Sequence, residues 1–346
     1  MKHYKGKFIL LCWMGMCLLL GGCKPSARMI SHLDTAMGTI IQETVYTTDA
    51  EDDSVQDIIL LLRGLEEEVL SRRLETSQIY QINESAAREE GSRLSEKLQE
   101  YLEIIGQISK DSKGALDITV GEVTELWNLD EWAAASADEQ AGFAVPPRDQ
   151  LEDALSHTGY EKVVLSEGRI YMQEGMKLDL GAVGKGIACD EIGAYLKEQE
   201  HIKGASIAVG GSVITYGEKP DGSNWNIAVM HPRKDGELLG TLSLQGEWYI
   251  STSGDYERYI EKDGIRYHHI IDPETGYPVD NEVCSVTIVS KSGLLSDALS
   301  TACFVMGAEE GLRLAQAYGA EALIFTKNLH TYETTGMESM FRELSK

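Results

Sequence analysis

An acidic side chain and a hydroxyl lie one helical turn apart near the C-terminal end of the sequence, at Asp297 and Thr301. Apolar residues at helical spacing around them predict a helix, on which side chains four residues apart face the same way. A carboxylate and a hydroxyl at the start of a helix form a pair of hard oxygen ligands suited to Mg²⁺. The alternative is that Asp297 complements the helix dipole and Thr301 is merely buried, and spacing alone favours that alternative.

A second candidate for chemistry is the pair of histidines His268 and His269, which opens the segment HHIIDPETG at 268–276. Residues 265–271 are predicted to form a strand, and the Asp-Pro and Thr-Gly steps that follow are strong turn formers. The sequence therefore predicts a titratable pair at the mouth of a sheet.

A glycine-rich stretch with a lysine, DLGAVGKG at 179–186, joins a predicted strand to a helix that runs to about residue 199. Free backbone N–H groups and the helix dipole favour an anion at such a junction. The glycine spacing and Gly186 after Lys185 exclude a Walker P-loop, and the missing G-x-G-x-x-G excludes a dinucleotide-binding Rossmann motif. Whether the junction binds an anion or is a plain packing turn stays open at this point.

The elements that must position these residues alternate between helices and hairpin-forming strands. Helical spacing of apolar residues predicts helices at 55–69, 95–109, 150–155 and 309–318, and extended segments are predicted at 31–46, 163–165, 170–172, 177–180, 206–216, 224–231, 240–244, 248–252, 256–260 and 322–326. Gly38, between two strand-like halves, suggests a bulge or a close backbone approach. Residues 131–147 are interpreted as a surface insertion or lobe crossing. The pattern predicts an α+β fold of largely antiparallel sheets with flanking helices.

The N-terminus has the features of an export signal. Lysines at 2, 5 and 7 precede an apolar run at 8–20 that is too short to span a membrane. The residues before Cys23 resemble a bacterial lipobox, which implies a signal peptide at 1–22, diacylation of Cys23 and a tether over 23–30. The remaining domain is 31–346, and two acyl chains suffice for stable anchoring on a membrane. A plain signal peptide or a short anchor is the alternative.

Charge and cysteine content limit the other partners. The formal net charge is −25, so the surface repels nucleic acid and anionic lipid. Beyond Cys23, the sparse cysteines at 189, 284 and 303 lie in apolar surroundings and are interpreted as buried thiols, without a disulfide framework.

Taken together, the motifs resemble the ApbE-type FAD:protein FMN transferases over nearly the whole chain after the signal peptide. The segments that carry the resemblance follow in the family's order: MGT at 37–39, residues 77–83, GALDITVG at 114–121 with Leu126-Trp127, DLGAVGKG at 179–186, Gly210-Gly211, STSGDY at 251–256, HIIDPETG at 269–276 and DALST at 297–301. The resemblance implies two closely joined lobes with a T-fold-like core and the site between them.

The resemblance also implies which residues form the site. Mg²⁺ is expected at the backbone oxygen of Ala182 and the side chains of Asp297 and Thr301, with Ser300 adjacent. Positions that line FAD in the family correspond here to Met37, Arg73, Ala115, Leu116, Asp117, Asp179, Lys185 and Ile271. His269 matches the family's invariant histidine and, with Asp297, is the expected catalytic residue. Arg73 replaces an aromatic residue of some members, which implies a guanidinium contact where others stack a ring. Asp117 on local signals alone could instead be a helix cap.

The activity that the resemblance implies is cleavage of the FAD pyrophosphate and transfer of the FMN half to a Thr or Ser hydroxyl of a client protein, with release of AMP. Typical clients are flavin-carrying subunits of membrane redox complexes, and the expected location is the extracytoplasmic face of the cell membrane. Two alternatives stay open: an Mg²⁺-dependent FAD pyrophosphatase that gives FMN and AMP, and a lipid-anchored FAD-binding protein without chemistry.

Overall fold

The computed structural model describes residues 27–344, so the predicted signal peptide and Cys23 lie outside the described residues. The helices in this range are α1 (Ser54–Leu65), α2 (Gln78–Glu84), α3 (Glu96–Asp111), α4 (Gly121–Trp127), α5 (Leu129–Ala134), α6 (Ala137–Gln140), α7 (Arg148–Ser156), α8 (Gly184–Glu198), α9 (Gly293–Met306), α10 (Ala308–Ala317) and α11 (Met337–Met340). From residue 27 to residue 344, no helix has both the length and the apolar character that crossing a membrane requires.

The strands confirm the predicted predominance of antiparallel pairing. They are β1 (Arg28–Ala36), β2 (Thr39–Thr47), β3 (Ser92–Arg93), β4 (Val164–Ser166), β5 (Arg169–Tyr171), β6 (Ile202–Val209), β7 (Ser212–Gly217), β8 (Trp225–Met230), β9 (Leu238–Leu244), β10 (Trp248–Gly254), β11 (Tyr259–Lys262), β12 (Ile265–His268), β13 (Val283–Ser290), β14 (Glu321–Thr326), β15 (Thr331–Glu333) and β16 (Phe341–Glu343). Eight of them form one sheet in the order β1-β2-β6-β7-β10-β13-β14-β15, in which every neighbouring pair is antiparallel.

Helices cover one face of this sheet. The first core cluster joins α1 and α8 to strands β1, β2, β6 and β7, and the second joins α9 and α10 to β13 and β14. Helices α8 and α9 contact each other where Gly186 and Gly293 meet backbone to backbone. A Cβ atom on Gly186 would lie 2.2 Å from the Gly293 carbonyl oxygen, so this close crossing requires glycine.

A small sheet of strands β16-β9-β8 covers part of the opposite face. Its apolar residues pack against outward-facing side chains of β10, β13 and β14. Helices α4, α5 and α7 form a separate cluster beside the main sheet, where Trp127 and Phe143 stack with ring centroids 6.5 Å apart, whereas α3 packs in the same core cluster as α9.

Several local predictions need correction. Met37 and Gly38 form a tight hairpin turn with φ of 52° and 65°, where a bulge or a close backbone approach was expected. Two residues with positive φ suit the twist of a β-hairpin. The expected strand at 177–180 makes only an isolated bridge between Lys177 and Val120. Strand β12 ends at His268, three residues earlier than predicted. Within residues 131–147, which were interpreted as an insertion, Phe143 is buried in the core of the cluster formed by α4, α5 and α7.

Candidate active site

One cavity collects nearly all the side chains that the sequence singled out. It lies where the Met37 turn, the loops before α2 and α4, the start of α8, the segment after β10 and one face of α9 meet. Lining it are Met37, Arg73, Ala115, Leu116, Asp117, Asp179, Ala182, Lys185, His269, Ile271, Asp297 and Thr301. These residues span most of the described sequence, so the tertiary fold alone brings them together. Their roles in binding FAD or a metal stay predictions.

The Asp297 carboxylate binds the start of a different helix from its own. The backbone N–H of Gly186, in the first turn of α8, donates to Asp297 Oδ2 at 2.8 Å, and the Lys185 Nζ atom lies 4.0 Å from the same oxygen. Burial raises the pKa of Asp297, while the Lys185 charge opposes that shift. The alternative in which Asp297 serves the dipole of its own helix is therefore wrong.

The N-terminus of α9 is already satisfied by other groups. Ser292 caps the helix through Leu295 N–H, and Asp190 accepts hydrogen bonds from Gly293 and Leu294 N–H at 2.6 and 2.8 Å. Asp297 is thus free to face the cavity.

Hydroxyl groups surround the carboxylate on the β10 side. Ser253 Oγ lies 2.8 Å from Ser300 Oγ and 3.4 Å from Thr301 Oγ1. The Ser300 hydroxyl also donates to the Asp297 carbonyl oxygen at 2.9 Å and is fully buried, so Ser300 lies behind the cavity wall. Ser253, which was not predicted, lines the cavity instead. Its signal was the STSGD segment at 251–255, in which spacing does not indicate which hydroxyl faces inward.

The donor chemistry at α9 fits a hard divalent cation. Asp297 offers a carboxylate oxygen, Thr301 a hydroxyl and Ala182 a backbone carbonyl, all on the cavity wall. Such oxygen ligands suit Mg²⁺, which also retains several waters. Among residues 27–344, no group of three or more His, Cys, Asp and Glu side chains could hold a metal, so a site formed by such side chains alone is absent there.

Two further aspartates shape the opposite wall. Asp117 accepts hydrogen bonds from the Thr119 N–H and hydroxyl at 2.8 and 2.6 Å, so it closes its own turn and does not cap α4. Burial raises the pKa of Asp117. Asp179 pairs with Arg72 Nε at 3.0 Å and accepts from the Thr124 hydroxyl at 2.7 Å. Arg72, missed in the sequence, thereby fixes the start of the DLGAVGKG segment.

Arg73 lies at the cavity mouth with its guanidinium available. The residue is exposed and lines the cavity, and its side chain makes no hydrogen bond or ion pair with any residue in the described part of the chain. A planar cation with five donors suits a flat or phosphorylated ligand.

The two adjacent histidines have different environments. His268 is buried, its Nε2 donates to the Val279 carbonyl at 3.0 Å, and its ring meets Phe304 edge-on. His269 lines the cavity, and its Nδ1 donates to the Arg258 carbonyl at 3.3 Å, which leaves Nε2 as the acceptor. Burial, helped by the Arg258 charge, lowers the pKa of His269 to about 3. Only one member of the predicted pair therefore reaches the site, in its neutral form.

Charged residues beside His269 were also missed. Arg258 pairs with Asp130 at 3.0 Å, and Glu257 lines the same wall. Burial raises the pKa of Glu257, and Lys185 opposes the shift. Asp130 lies directly before the segment 131–147 that was interpreted as an insertion, where no local signal connects it to the distant Arg258.

Comparison with known proteins gives one consistent result. A sequence model of the ApbE family matches residues 37–324. A FAD:protein FMN transferase of Klebsiella pneumoniae (strain 342) is 32% identical over 306 residues, which cover 87% of this chain and 90% of the relative. Another of Vibrio cholerae (classical strain O395) is 31% identical over 334 residues, covering 95% and 97% of the two chains.

Solved structures agree with this assignment. The crystal structure of the ApbE protein from Thermotoga maritima superposes with a TM-score of 0.79 at 30% identity, covering 91% of this chain and 100% of that one. The flavin transferase ApbE from Vibrio cholerae gives a TM-score of 0.78 at 27% identity, covering 91% and 99%. With the motifs in register and the cavity formed by them, the chain belongs to the ApbE family.

Proposed function

We propose that this protein transfers the FMN moiety of FAD to a Thr or Ser hydroxyl of a client protein and releases AMP. The relatives named FAD:protein FMN transferase support this activity. The observation that carries it is the arrangement in one cavity of a helix N-terminus, Lys185, the buried Asp297 and a neutral His269. An anion-binding helix N-terminus next to a carboxylate and a proton acceptor suits transfer of a phosphoryl-linked group.

Charge stabilisation comes from the α8 side of the cavity. Splitting a pyrophosphate places negative charge on the bridging and leaving oxygens, and Lys185 and the helix dipole of α8 face that charge. Asp297, Thr301 and the Ala182 carbonyl would hold Mg²⁺ there. When bound, the ion neutralises charge on the phosphate oxygens as a Lewis acid. In a chain with net charge −25, these local cations must offset a repulsive background.

His269 supplies the proton acceptor for the incoming hydroxyl. Its Nδ1–H is held by the Arg258 carbonyl, so the Nε2 lone pair is available. The client oxygen forms a bond to the FMN phosphorus, the P–O bond to the AMP phosphate breaks, and the hydroxyl proton passes to Nε2. The low pKa keeps the His269 ring neutral, so its Nε2 lone pair is unprotonated when the hydroxyl arrives.

The location and the partners follow from the N-terminus. Acylation of Cys23 would hold the protein at the extracytoplasmic face of the cell membrane. Clients would then be flavin-carrying subunits of membrane redox complexes, with acceptor residues near the bilayer. The lipobox-like sequence before Cys23 supports this location.

An assay with three products tests the activity. The protein is incubated with FAD, Mg²⁺ and a purified client domain that contains a candidate acceptor hydroxyl. A covalent mass gain equal to FMN, with equimolar AMP, supports the transferase. Free FMN and AMP without a modified client indicate the pyrophosphatase, in which water attacks. Unchanged FAD that co-purifies with the protein indicates a binding protein, and either of these results overturns the proposal.

A further inference from the structure

The hairpin of β1 and β2 carries exposed apolar side chains on the face that points away from the helices. Successive residues of a strand point to opposite faces of the sheet. Ala36, Ile41 and Val45 point inward and pack in the core beneath α1 and α8. On the other face, Met29, Leu33 and Ile40 are 58%, 67% and 59% exposed.

The charged side chains of the same hairpin lie on its inner face, whereas charged side chains of a sheet usually face water. His32 and Glu43 pair on the inner face at 2.9 Å, and Asp34 reaches Arg63 of α1 at 3.3 Å. The outward positions of β1, β2 and β6 carry no charge: Met29, Ser31, Leu33, Thr35, Ile40, Gln42, Thr44, Tyr46, Ser206 and Ala208. These ten positions are referred to below as the outer face.

An uncharged sheet surface with exposed apolar side chains is unusual in this protein. A quarter of the residues are charged and the net charge is −25. The neighbouring part of the same sheet face is covered by β8, β9 and β16, and Trp225 of β8 packs against Tyr46 at the margin of the outer face, with ring centroids 6.0 Å apart. Among residues 27–344, no element covers Met29, Leu33 and Ile40, which stay more than half exposed. Exposed strands near a sheet edge usually carry charges that keep them soluble, so this face has the character of a covered surface.

The short distance along the chain from Cys23 to β1 indicates what covers the outer face. Strand β1 begins at Arg28, five residues after Cys23. A fully extended chain gains at most about 3.5 Å per residue, so the start of β1 lies within roughly 17 Å of an acylated Cys23. We propose that the outer face rests on the lipid bilayer, with Met29, Leu33 and Ile40 in the interfacial region. This inference rests on the lipid attachment proposed above.

The absence of charge explains why such contact is tolerated by an acidic protein. Acidic side chains would be repelled by anionic lipid, and any charged group would lose hydration at the interface. Exposed apolar side chains such as Met29, Leu33 and Ile40 are stabilised when they leave water. The nearest alternative occupant is a second copy of this chain pairing along the edge strand β1.

Site-specific fluorescent labels test the proposal on the full chain, produced in bacteria and reconstituted into vesicles with brominated acyl chains. The three cysteines in the described part of the chain are buried, so among residues 27–344 a thiol-reactive label attaches only at an introduced surface cysteine. Leu33→Cys places the label on the outer face. Leu60→Cys is the matched control, because Leu60 is 64% exposed on α1, which packs on the opposite side of the hairpin.

Bromine should quench the label at position 33 by about half or more and leave the label at position 60 unchanged, as expected for side chains 5 to 10 Å into the interface. Adding Ile40→Glu should abolish the quenching. Equal quenching at both positions, or none at position 33, overturns the proposal. A blue shift at position 33 that grows with protein concentration without bromine quenching identifies a second copy instead.

Labelling of the unmodified protein distinguishes failure of the proposed bilayer contact from failure of the lipid attachment. A Cys23 thiol that carries an acyl chain does not react, whereas a free one does. If the unmodified protein takes up label, lipid attachment has failed and the proposed location is wrong. If it takes up none and position 33 is still unquenched, the anchor is present and only the bilayer contact is wrong.

Discussion

At the scale of single residues, the cavity depends on one buried carboxylate that faces a helix start and a lysine. Asp297 accepts from Gly186 N–H, and Lys185 Nζ lies 4.0 Å away. The Ser212 hydroxyl adds a contact at 3.4 Å, yet burial still raises the pKa of the carboxyl group. A further cation in the cavity would therefore stabilise the ionised carboxylate.

We expect Asp297→Asn to lower Mg²⁺-dependent FMN transfer by about 100-fold or more, because the amide removes the negative oxygen ligand while keeping the shape. The measurement is the rate of covalent mass gain on the client as Mg²⁺ is varied. The matched control is Asp280→Asn, whose carboxylate is 95% exposed and pairs only with Lys327 on the surface. Near-normal transfer in the Asp297 variant at every Mg²⁺ concentration would contradict the assignment.

The neighbouring histidines give a second prediction. His269→Ala should retain FAD binding and folding but lose transfer by about 100-fold, the size of effect typical for a positioned proton acceptor. His268→Ala should instead lower the free energy of unfolding by about 1 to 3 kcal/mol, because it removes the buried donor to the Val279 carbonyl. FAD fluorescence titration, urea unfolding and the transfer assay distinguish the two. Loss of FAD binding in the His269 variant would make that residue structural.

The sequence identified most cavity residues because family motifs preserve residue type and order. It could not separate His268 from His269, since both belong to one predicted strand and only packing against Phe304 and Val279 removes the first from the cavity. Ser300 was grouped with the metal ligands because it lies next to Thr301, yet the helix turns its hydroxyl behind the wall. Arg72, Ser253 and Glu257 acquire their positions from contacts between distant segments, which local patterns do not encode.

At the scale of elements, the site depends on how α8 crosses α9. The two helices touch through glycine backbones, and the contact places Gly186 N–H against the Asp297 carboxylate. Any side chain at this crossing would push the start of α8, where the anion is proposed to bind, away from the oxygen ligands on α9. A residue without a side chain thus controls the distance between the two halves of the site.

Gly186→Ala should therefore lower the free energy of unfolding by about 1 to 3 kcal/mol through overpacking. The new Cβ would lie 2.2 Å from the Gly293 carbonyl oxygen and 2.6 Å from Asp297 Cβ. Gly64→Ala is the control, because Gly64 lies inside α1 with no atom within 4 Å of the added carbon. That control should stabilise the protein by up to about 1 kcal/mol through helix propensity. Urea unfolding midpoints measure both, and equal effects would refute the crossing argument.

Helices were predicted well because apolar periodicity survives in α1, α3 and α10 with small shifts at their ends. The turn at Met37 was misread because a positive φ at a methionine leaves no trace in composition. Residues 177–180 resemble a strand because they are buried, although they pair only at Lys177. Burial and strand pairing produce the same apolar pattern, so sequence alone does not separate them.

At the scale of the whole molecule, stability should depend on pH through a carboxyl group in the sheet. Glu43 is fully buried between β1 and β6, one of its oxygens has no hydrogen-bond partner among the described residues, and burial raises its pKa to about 7. The folded state thus favours the protonated acid. Its stability is greatest below the unfolded pKa near 4.5 and falls as the pH rises towards 7.

Glu43→Gln removes this ionisation and keeps the shape of the side chain. We expect the variant to be more stable than the parent by about 2 to 3 kcal/mol at pH 8 and by much less at pH 5, since one pKa unit corresponds to about 1.4 kcal/mol. Urea unfolding at both pH values measures the difference. Glu309→Gln, on the exposed surface of α10, should show no such pH dependence. An identical gain at pH 5 and pH 8 would show that Glu43 does not titrate in this range.

The α+β class and the antiparallel sheets could be predicted from the short strands and frequent turns. The strand order could not, because β10 lies between β7 and β13 and the four strands of the intervening sequence, β8, β9, β11 and β12, belong to another sheet or hairpin. Such long-range pairings are decided by which apolar faces fit together after the local elements have formed. For the same reason the family's motifs predicted the cavity residues that they contain, but not the residues that other segments add to the cavity wall.

The hairpin of β1 and β2 extends from the N-terminal end of the described chain to the cavity itself. Its nine-residue strand β1 covers about 30 Å at 3.3 Å per residue, and Met37 at its tip lines the cavity. If one flank of this hairpin lies along the membrane, the catalytic opening sits beside the lipid and is offset sideways from the acyl chains. As the protein rotates about its lipid anchor and diffuses laterally, the opening of the cavity would follow a circle in the plane of the membrane. It would then meet only acceptor hydroxyls that lie close to the same surface.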